Sequence, residues 1–217
     1  MMWRRKTPLH DPFCGSGTFV IEATLYAYNV APGFGRRFAI ENLPFFDEER
    51  AKILRKKEAE QIRSDVEVRI TGSDISPEAV ERRRKNAEYA CVMAGRALNL
   101  IDSSAKIYRP DFIQSDFKDL EAPYENGLIL CNPPYGERLG DESQAEELYR
   151  QMNCIPQNFP SWQLGLITSH KKFQENFGFY ADKLKNIRAG NLNTTFYIYN
   201  NLKNSKKSVQ KKQTEKF

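Results

Sequence analysis

An apolar run, Leu128-Ile129-Leu130-Cys131, stops abruptly at Asn132-Pro133-Pro134-Tyr135. Two successive prolines cannot continue a strand ladder, and they stiffen the backbone that follows. The Asn132 side-chain oxygen and the Pro133 carbonyl become fixed acceptors, Pro134 holds the turn rigid, and Tyr135 is free to stack on a planar ring. Such a set suits the exocyclic amine of a nucleobase, a poor nucleophile because its lone pair is delocalised into the ring. Two acceptors draw both N–H bonds toward a tetrahedral nitrogen and stabilise the positive charge that develops during attack. Held in line with an electrophile, the amine needs no strong base to begin reacting.

A second constellation lies near the start of the chain, at Asp11-Pro12-Phe13-Cys14-Gly15-Ser16-Gly17-Thr18-Phe19. A strand ending at Asp11, a glycine turn and an apolar helix from Thr18 together place backbone N–H groups where a ligand can approach. No lysine follows Gly17, so a triphosphate loop is disfavoured. Val20 stands where a dinucleotide fingerprint needs its third glycine, and the next strand-end acid, Asp74, comes too late for that motif. Asp74 still closes an apparent strand beside the first, where an acid can accept both hydroxyls of a ribose, with Ile75 next to it. At the end of the third strand Asp116 can accept from an adenine amino group while Phe117 packs nearby. Glycine loop, ribose acid and adenine acid fall in order at successive carboxyl ends of strands, the edge where open α/β sheets bind ligands. An adenosine compound without phosphate fits this set. S-adenosylmethionine is the candidate, with Asp11 near its methionine end. The expected cofactor set is Asp11, Pro12, Cys14, Gly15, Ser16, Gly17, Thr18, Asp74, Ile75, Asp116, Phe117 and Asn132.

Short apolar runs alternating with helical periodicity predict a mostly parallel sheet covered by helices. Strands are expected near 8–11, 67–73, 111–115, 127–132, 164–169, 183–189 and 194–200. Helices are expected over about 18–29, 47–64, 76–93, 142–154 and 171–178. Gly190-Asn191-Leu192-Asn193 is too short for a crossover, so the last two strands should form an antiparallel hairpin. Residues 30–66 read as an insertion, with Ile53, Leu54 and Ile62 spaced as one buried stripe of a helix packed on the sheet.

The 217 residues fit one α/β domain, and no run of about 18 apolar residues suggests a membrane span. A cytoplasmic protein without a signal peptide is expected. Cys14, Cys91, Cys131 and Cys154 are too scattered for a zinc site or a disulfide framework, and no metal is expected. The net charge of +5 sits in residues 201–217, where six lysines face Glu215 alone, leaving 27 basic and 27 acidic residues in 1–200. The expected division is a domain over 1–200 followed by a polar, disordered tail that could tether phosphates.

Asn132-Pro133-Pro134-Tyr135-Gly136-Glu137-Arg138-Leu139, together with Asp11 to Phe19 and Ala31-Pro32-Gly33, resembles the THUMP-linked class I RNA methyltransferases that modify guanine N(2) of 23S ribosomal RNA. The resemblance spans about residues 7–200. It implies a Rossmann-like, seven-stranded α/β sheet with a terminal hairpin and methyl transfer from S-adenosylmethionine. It makes Asn132, Pro133 and Tyr135 part of the catalytic tetrapeptide, and Asp11, Gly15, Gly17, Asp74 and Asp116 cofactor positions. The same tetrapeptide occurs in adenine-N(6) DNA methyltransferases, which are the alternative. A noncatalytic RNA-binding module of the same shape is a further one. Relatives carry an RNA-binding THUMP domain before the catalytic domain, whereas this chain begins almost at the first strand, so a catalytic fragment of a longer protein is expected. Cys14 is disfavoured as a nucleophile because it lies inside the glycine loop. His10 and His170 are expected to be satisfied structural imidazoles.

Overall fold

The computed structural model describes residues 3–99, 107–134, 142–189, 192–203 and 205. Among them seven strands form one sheet: β1 (Leu9–Asp11), β2 (Ile70–Asp74), β3 (Asp111–Gln114), β4 (Leu128–Cys131), β5 (Gln163–Thr168), β6 (Lys183–Ala189) and β7 (Leu192–Tyr199). Their spatial order is β3-β2-β1-β4-β5-β7-β6. The β1–β2, β2–β3, β1–β4 and β4–β5 pairs are parallel, while β7 runs antiparallel to both β5 and β6. The expected α/β architecture with its closing hairpin is therefore present. The hairpin residues 190 and 191 lie outside the described set. Because the order reverses between β1 and β4, the connections leaving their carboxyl ends run to helices on opposite faces of the sheet, the usual ligand position in such sheets.

The helices are α1 (Thr18–Ala27), α2 (Glu48–Ala59), α3 (Pro77–Asn99), α4 (Glu142–Gln151), α5 (Ile155–Asn158) and α6 (Phe173–Phe177). Leu128 clusters with Leu9 of β1 and with Val20, Ala23 and Ala87 of the α1/α3 layer. Ile129, one residue on and so on the opposite face of the pleat, clusters with Leu166 of β5, Tyr149 of α4 and Met152 just after that helix. Helices thus cover both faces. The helix expected over 142–154 breaks into α4, a 3₁₀ turn at Met152–Cys154, and α5, which has Pro156 in its first turn.

One expectation needs correction. Ile53 and Leu54 do not form a buried stripe: they are 68% and 53% exposed, and Ala59 and Ile62 are the residues that pack inward. Those two, at and just past the end of α2, cluster with Tyr28 and Val30 of the segment after α1 and with Ala94 of α3. The chain also stays packed past residue 200. Leu202 is fully buried, its N–H donates to the Trp162 carbonyl at 3.1 Å, and Ser205 is buried too. The remainder of the tail, 206–217, lies outside the described residues. Among the described residues no helix is long and apolar enough to cross a membrane.

Candidate active site

The glycine turn is held by a network that the sequence reading did not foresee. Gly17 caps α1 with φ of 86°, a left-handed conformation that costs a residue with a Cβ about 1–2 kcal/mol. The Cys14 N–H donates to the Ser73 carbonyl at 3.0 Å, and the Gly15 N–H donates to Asp74 Oδ2 at 2.9 Å. Below the loop lies Arg83 of α3, its side chain fully buried. Its Nε donates to the Gly15 carbonyl at 3.0 Å, and its Nη2 stands 3.8 Å from Asp74 Oδ2. Gly72 permits this close packing, since a Cβ there would lie 2.8 Å from Val20 Cγ2 and 2.9 Å from the Cys14 Sγ.

Asp74 ends β2, and its two oxygens accept from the Gly15 N–H and, at 3.0 Å, from the Ser76 N–H. The Gly15 N–H is therefore taken up by Asp74, its neighbour on the cavity wall. Each carboxylate oxygen has a second lone pair, so Asp74 can still receive hydroxyl donors from the cavity beside it.

That cavity, about 530 Å³, opens at the carboxyl ends of β1 to β4. Pro12, Phe13, Gly15, Asp74, Ile75, Ser115, Asp116, Phe117, Asn132 and Pro134 share its wall with Lys118, Leu148 and Gln151. One hollow therefore joins the glycine turn, both strand-end acids and the start of the Asn-Pro-Pro segment. The Phe13 and Phe117 rings meet at 5.0 Å. Asp116 caps the short 3₁₀ turn at Phe117–Asp119 by accepting from the Lys118 N–H, and it pairs with Lys118 Nζ at 3.1 Å. The Asn132 Oδ1 is buried and has no hydrogen-bond partner among the described residues. A buried acceptor left unpaired costs about 1–3 kcal/mol, so this oxygen awaits a donor.

Other expected residues do not line this wall. Asp11 is buried, accepts from the Phe13 N–H at 3.0 Å, and does not line the cavity. Burial pushes its carboxyl up to about 7, against the pull of that hydrogen bond. Cys14 turns its thiol toward Gly72, and burial raises it to about 12, which suits packing and not nucleophilic attack. Ser16, Gly17 and Thr18 form the start of α1, outside the cavity wall, and Pro133 is buried beside it. Tyr135, with Gly136 to Leu139, lies outside the described residues. Leu148 and Gln151 of α4 and the clamp residue Arg83 were missed by sequence reasoning. Arg83 carries no distinguishing signal, being one of four consecutive basic residues, 82–85.

His10 is satisfied as expected: its ring nitrogens lie 2.7 Å from Thr71 Oγ1 and 3.0 Å from Ser73 Oγ, and burial lowers its pKa to about 4. His170 corrects the expectation, because both of its ring nitrogens are buried without a hydrogen-bond partner among the described residues.

Comparison with known proteins places this arrangement. YpsC of Bacillus subtilis is 34% identical over 213 residues, which cover 98% of this chain and 51% of YpsC. The ribosomal RNA large subunit methyltransferase K/L of Legionella pneumophila (strain Lens) is 33% identical over 206 residues, covering 91% of this chain and 27% of that protein. The chain thus spans about half of the first and about a quarter of the second. The crystal structure of SMU.472 in complex with SAH matches with a TM-score of 0.75 and 33% identity, over 92% of this chain and 49% of that one. The family described as "RMKL-like, methyltransferase domain" matches residues 1–198, nearly the whole chain, and the chain belongs to that family.

Proposed function

We propose that this chain transfers a methyl group from S-adenosylmethionine to an exocyclic amine of a nucleobase in RNA, and that the target is guanine N(2) of 23S ribosomal RNA. The observation that carries the reading is that Asn132, whose buried Oδ1 has no hydrogen-bond partner among the described residues, lines the same hollow as Asp74. A cavity of this volume is typical of a small-molecule site. Its residues suit the cofactor: Asp74 keeps a second lone pair on each oxygen for ribose hydroxyls, Asp116 can accept from an adenine amine, and Phe13 with Phe117 offers an apolar wall. The bound SAH of SMU.472 and the name of the Legionella relative support the same assignment.

When bound, S-adenosylmethionine supplies an electrophilic methyl carbon on a positively charged sulfur. The chain's own contribution is positioning. Asn132 Oδ1 and the Pro133 carbonyl accept the two N–H bonds of the target amine, which directs its lone pair and stabilises the positive charge that builds on nitrogen. Tyr135 stacks on the base, and the amine proton leaves to solvent afterwards. In the longer protein, a THUMP-type domain docks the RNA, and the lysine-rich tail adds phosphate contacts.

The test is a labelled-methyl assay on undermodified 23S ribosomal RNA beside unmethylated duplex DNA, with nucleoside mass analysis, for the wild type and Asn132→Ala. N(2)-methylguanosine from the wild type, lost in Asn132→Ala, is the expected result. Methyladenine appearing in DNA would transfer the reading to the DNA enzymes. Undiminished transfer by Asn132→Ala would remove its central residue.

A further inference from the structure

A second cluster lies at the same edge of the sheet and takes no part in the methyl-transfer reading. Glu142 and Glu146 occupy one face of the first turns of α4, four residues apart. His170 follows β5 and faces them, its side chain only 6% exposed. Its Nε2 lies 3.5 Å from Glu142 Oε1 and 3.8 Å from Glu146 Oε1, and one ligand atom from each residue falls within 4.8 Å of the others. These separations are too long for hydrogen bonds. They are close to the spacing of about 3.4 Å between ligands bound at about 2.1 Å around a tetrahedral ion.

The surroundings fix this geometry. Arg150 Nη2 donates to Glu146 Oε2 at 3.3 Å, which leaves Oε1 to face the imidazole. The His170 N–H donates to Thr168 Oγ1 at 3.1 Å, and the Tyr149 ring stands edge-on to the imidazole at 5.4 Å. A buried imidazole with no hydrogen-bond partner among the described residues, turned toward two carboxylate oxygens, is a costly arrangement without a ligand.

We propose that Glu142, Glu146 and His170 bind a divalent first-row transition ion. The imidazole argues against magnesium or calcium, and the two carboxylates argue against a soft ion such as copper(I), so zinc and manganese suit the donor set. Three protein ligands leave room for water. The ion is structural: it ties the first turn of α4 to the end of β5. Since Leu148 and Gln151 of α4 line the cavity, it also steadies one wall of the site.

The experiment is calorimetric titration of EDTA-treated, dialysed protein with ZnCl2, and separately with MnCl2, for the wild type, Glu142→Gln and His170→Gln. Thermal unfolding is followed with and without the ion. One equivalent binds to the wild type and raises its unfolding temperature, and each variant weakens binding at least tenfold. Glu142 is 77% exposed, so its variant keeps the fold and decides the matter should His170→Gln unfold. Absence of one-equivalent binding by either ion, which leaves only an ion pair between His170 and the glutamates, overturns the proposal. So does binding that survives Glu142→Gln unchanged, which would place the ion elsewhere, for instance on a cysteine.

Discussion

Replacing Asp74 separates its scaffold role from its proposed ligand role. Its carboxylate receives the Gly15 and Ser76 N–H groups at 2.9 and 3.0 Å. Hydrogen bonds to a charged acceptor contribute about 1.5–3 kcal/mol each. Asp74 also faces the fully buried Arg83 at 3.8 Å, and removing one partner of a buried pair costs about 3–5 kcal/mol. The Asp74 side chain is 18% exposed and Arg83 keeps its bond to the Gly15 carbonyl, so these contributions overlap. Asp74→Ala should therefore lose about 3–5 kcal/mol in urea denaturation. Asp74→Asn keeps one acceptor oxygen and should lose about half of that. If the remaining lone pairs hold ribose hydroxyls, Asp74→Asn should also weaken S-adenosylhomocysteine by about 10- to 100-fold, since each tenfold corresponds to about 1.4 kcal/mol. Calorimetry on the folded Asn variant reads this directly. Wild-type affinity in Asp74→Asn would mean the carboxylate serves the loop alone, and an unchanged urea midpoint in Asp74→Ala would refute the clamp.

Gly72→Ala places a methyl 2.8 Å from Val20 and 2.9 Å from Cys14, so overpacking should cost about 1–3 kcal/mol by urea denaturation. Adding Cys14→Ala should restore part of it, and full additivity of the two changes would show that the contact is not shared. The pH dependence of stability should show two opposed slopes. Asp11, at 3.8 unfolded and about 7 folded, favours the native state at low pH and loses that contribution as pH rises from about 4 to 7. His10, at 6.5 unfolded and about 4 folded, favours it at high pH and loses that contribution as pH falls from 6.5 to 4. The two offset each other over pH 4–6.5. His10→Gln should expose a fall with rising pH and Asp11→Asn a rise, each of up to about 1.4 kcal/mol per pH unit. Parallel profiles for wild type and both variants would contradict this assignment.

What the sequence made legible was whatever is written in local pattern. The proline pair after an apolar run marks the end of β4, and Ser76-Pro77 marks the start of α3 because cap and first-turn chemistry are local. The antiparallel pairing of β6 and β7 followed from the brevity of their connection. Contacts between distant segments were not legible. Arg83 looks like its basic neighbours until the fold sets it under Gly15, 68 residues away. Asp11, expected near the ligand, is drawn beneath the turn because its oxygen satisfies the Phe13 N–H. Ile53 and Leu54 obey helical spacing, yet α2 meets the body through Ala59 and Ile62 near its end, so periodicity identified the helix but not its contact face. The cluster of Glu142, Glu146 and His170 escaped for the same reason, its histidine coming from the far end of another strand.

The central claim is that one hollow holds the donor beside Asn132, and a crystal structure with S-adenosylhomocysteine tests it most directly. The account predicts the ribose hydroxyls on Asp74, the adenine between Asp116 and Phe117, and the sulfur turned toward Asn132 Oδ1. Density for the ligand away from Asp74, for instance in the smaller hollow lined by Thr24, Tyr28 and Ile70 at the other end of β2, would contradict it.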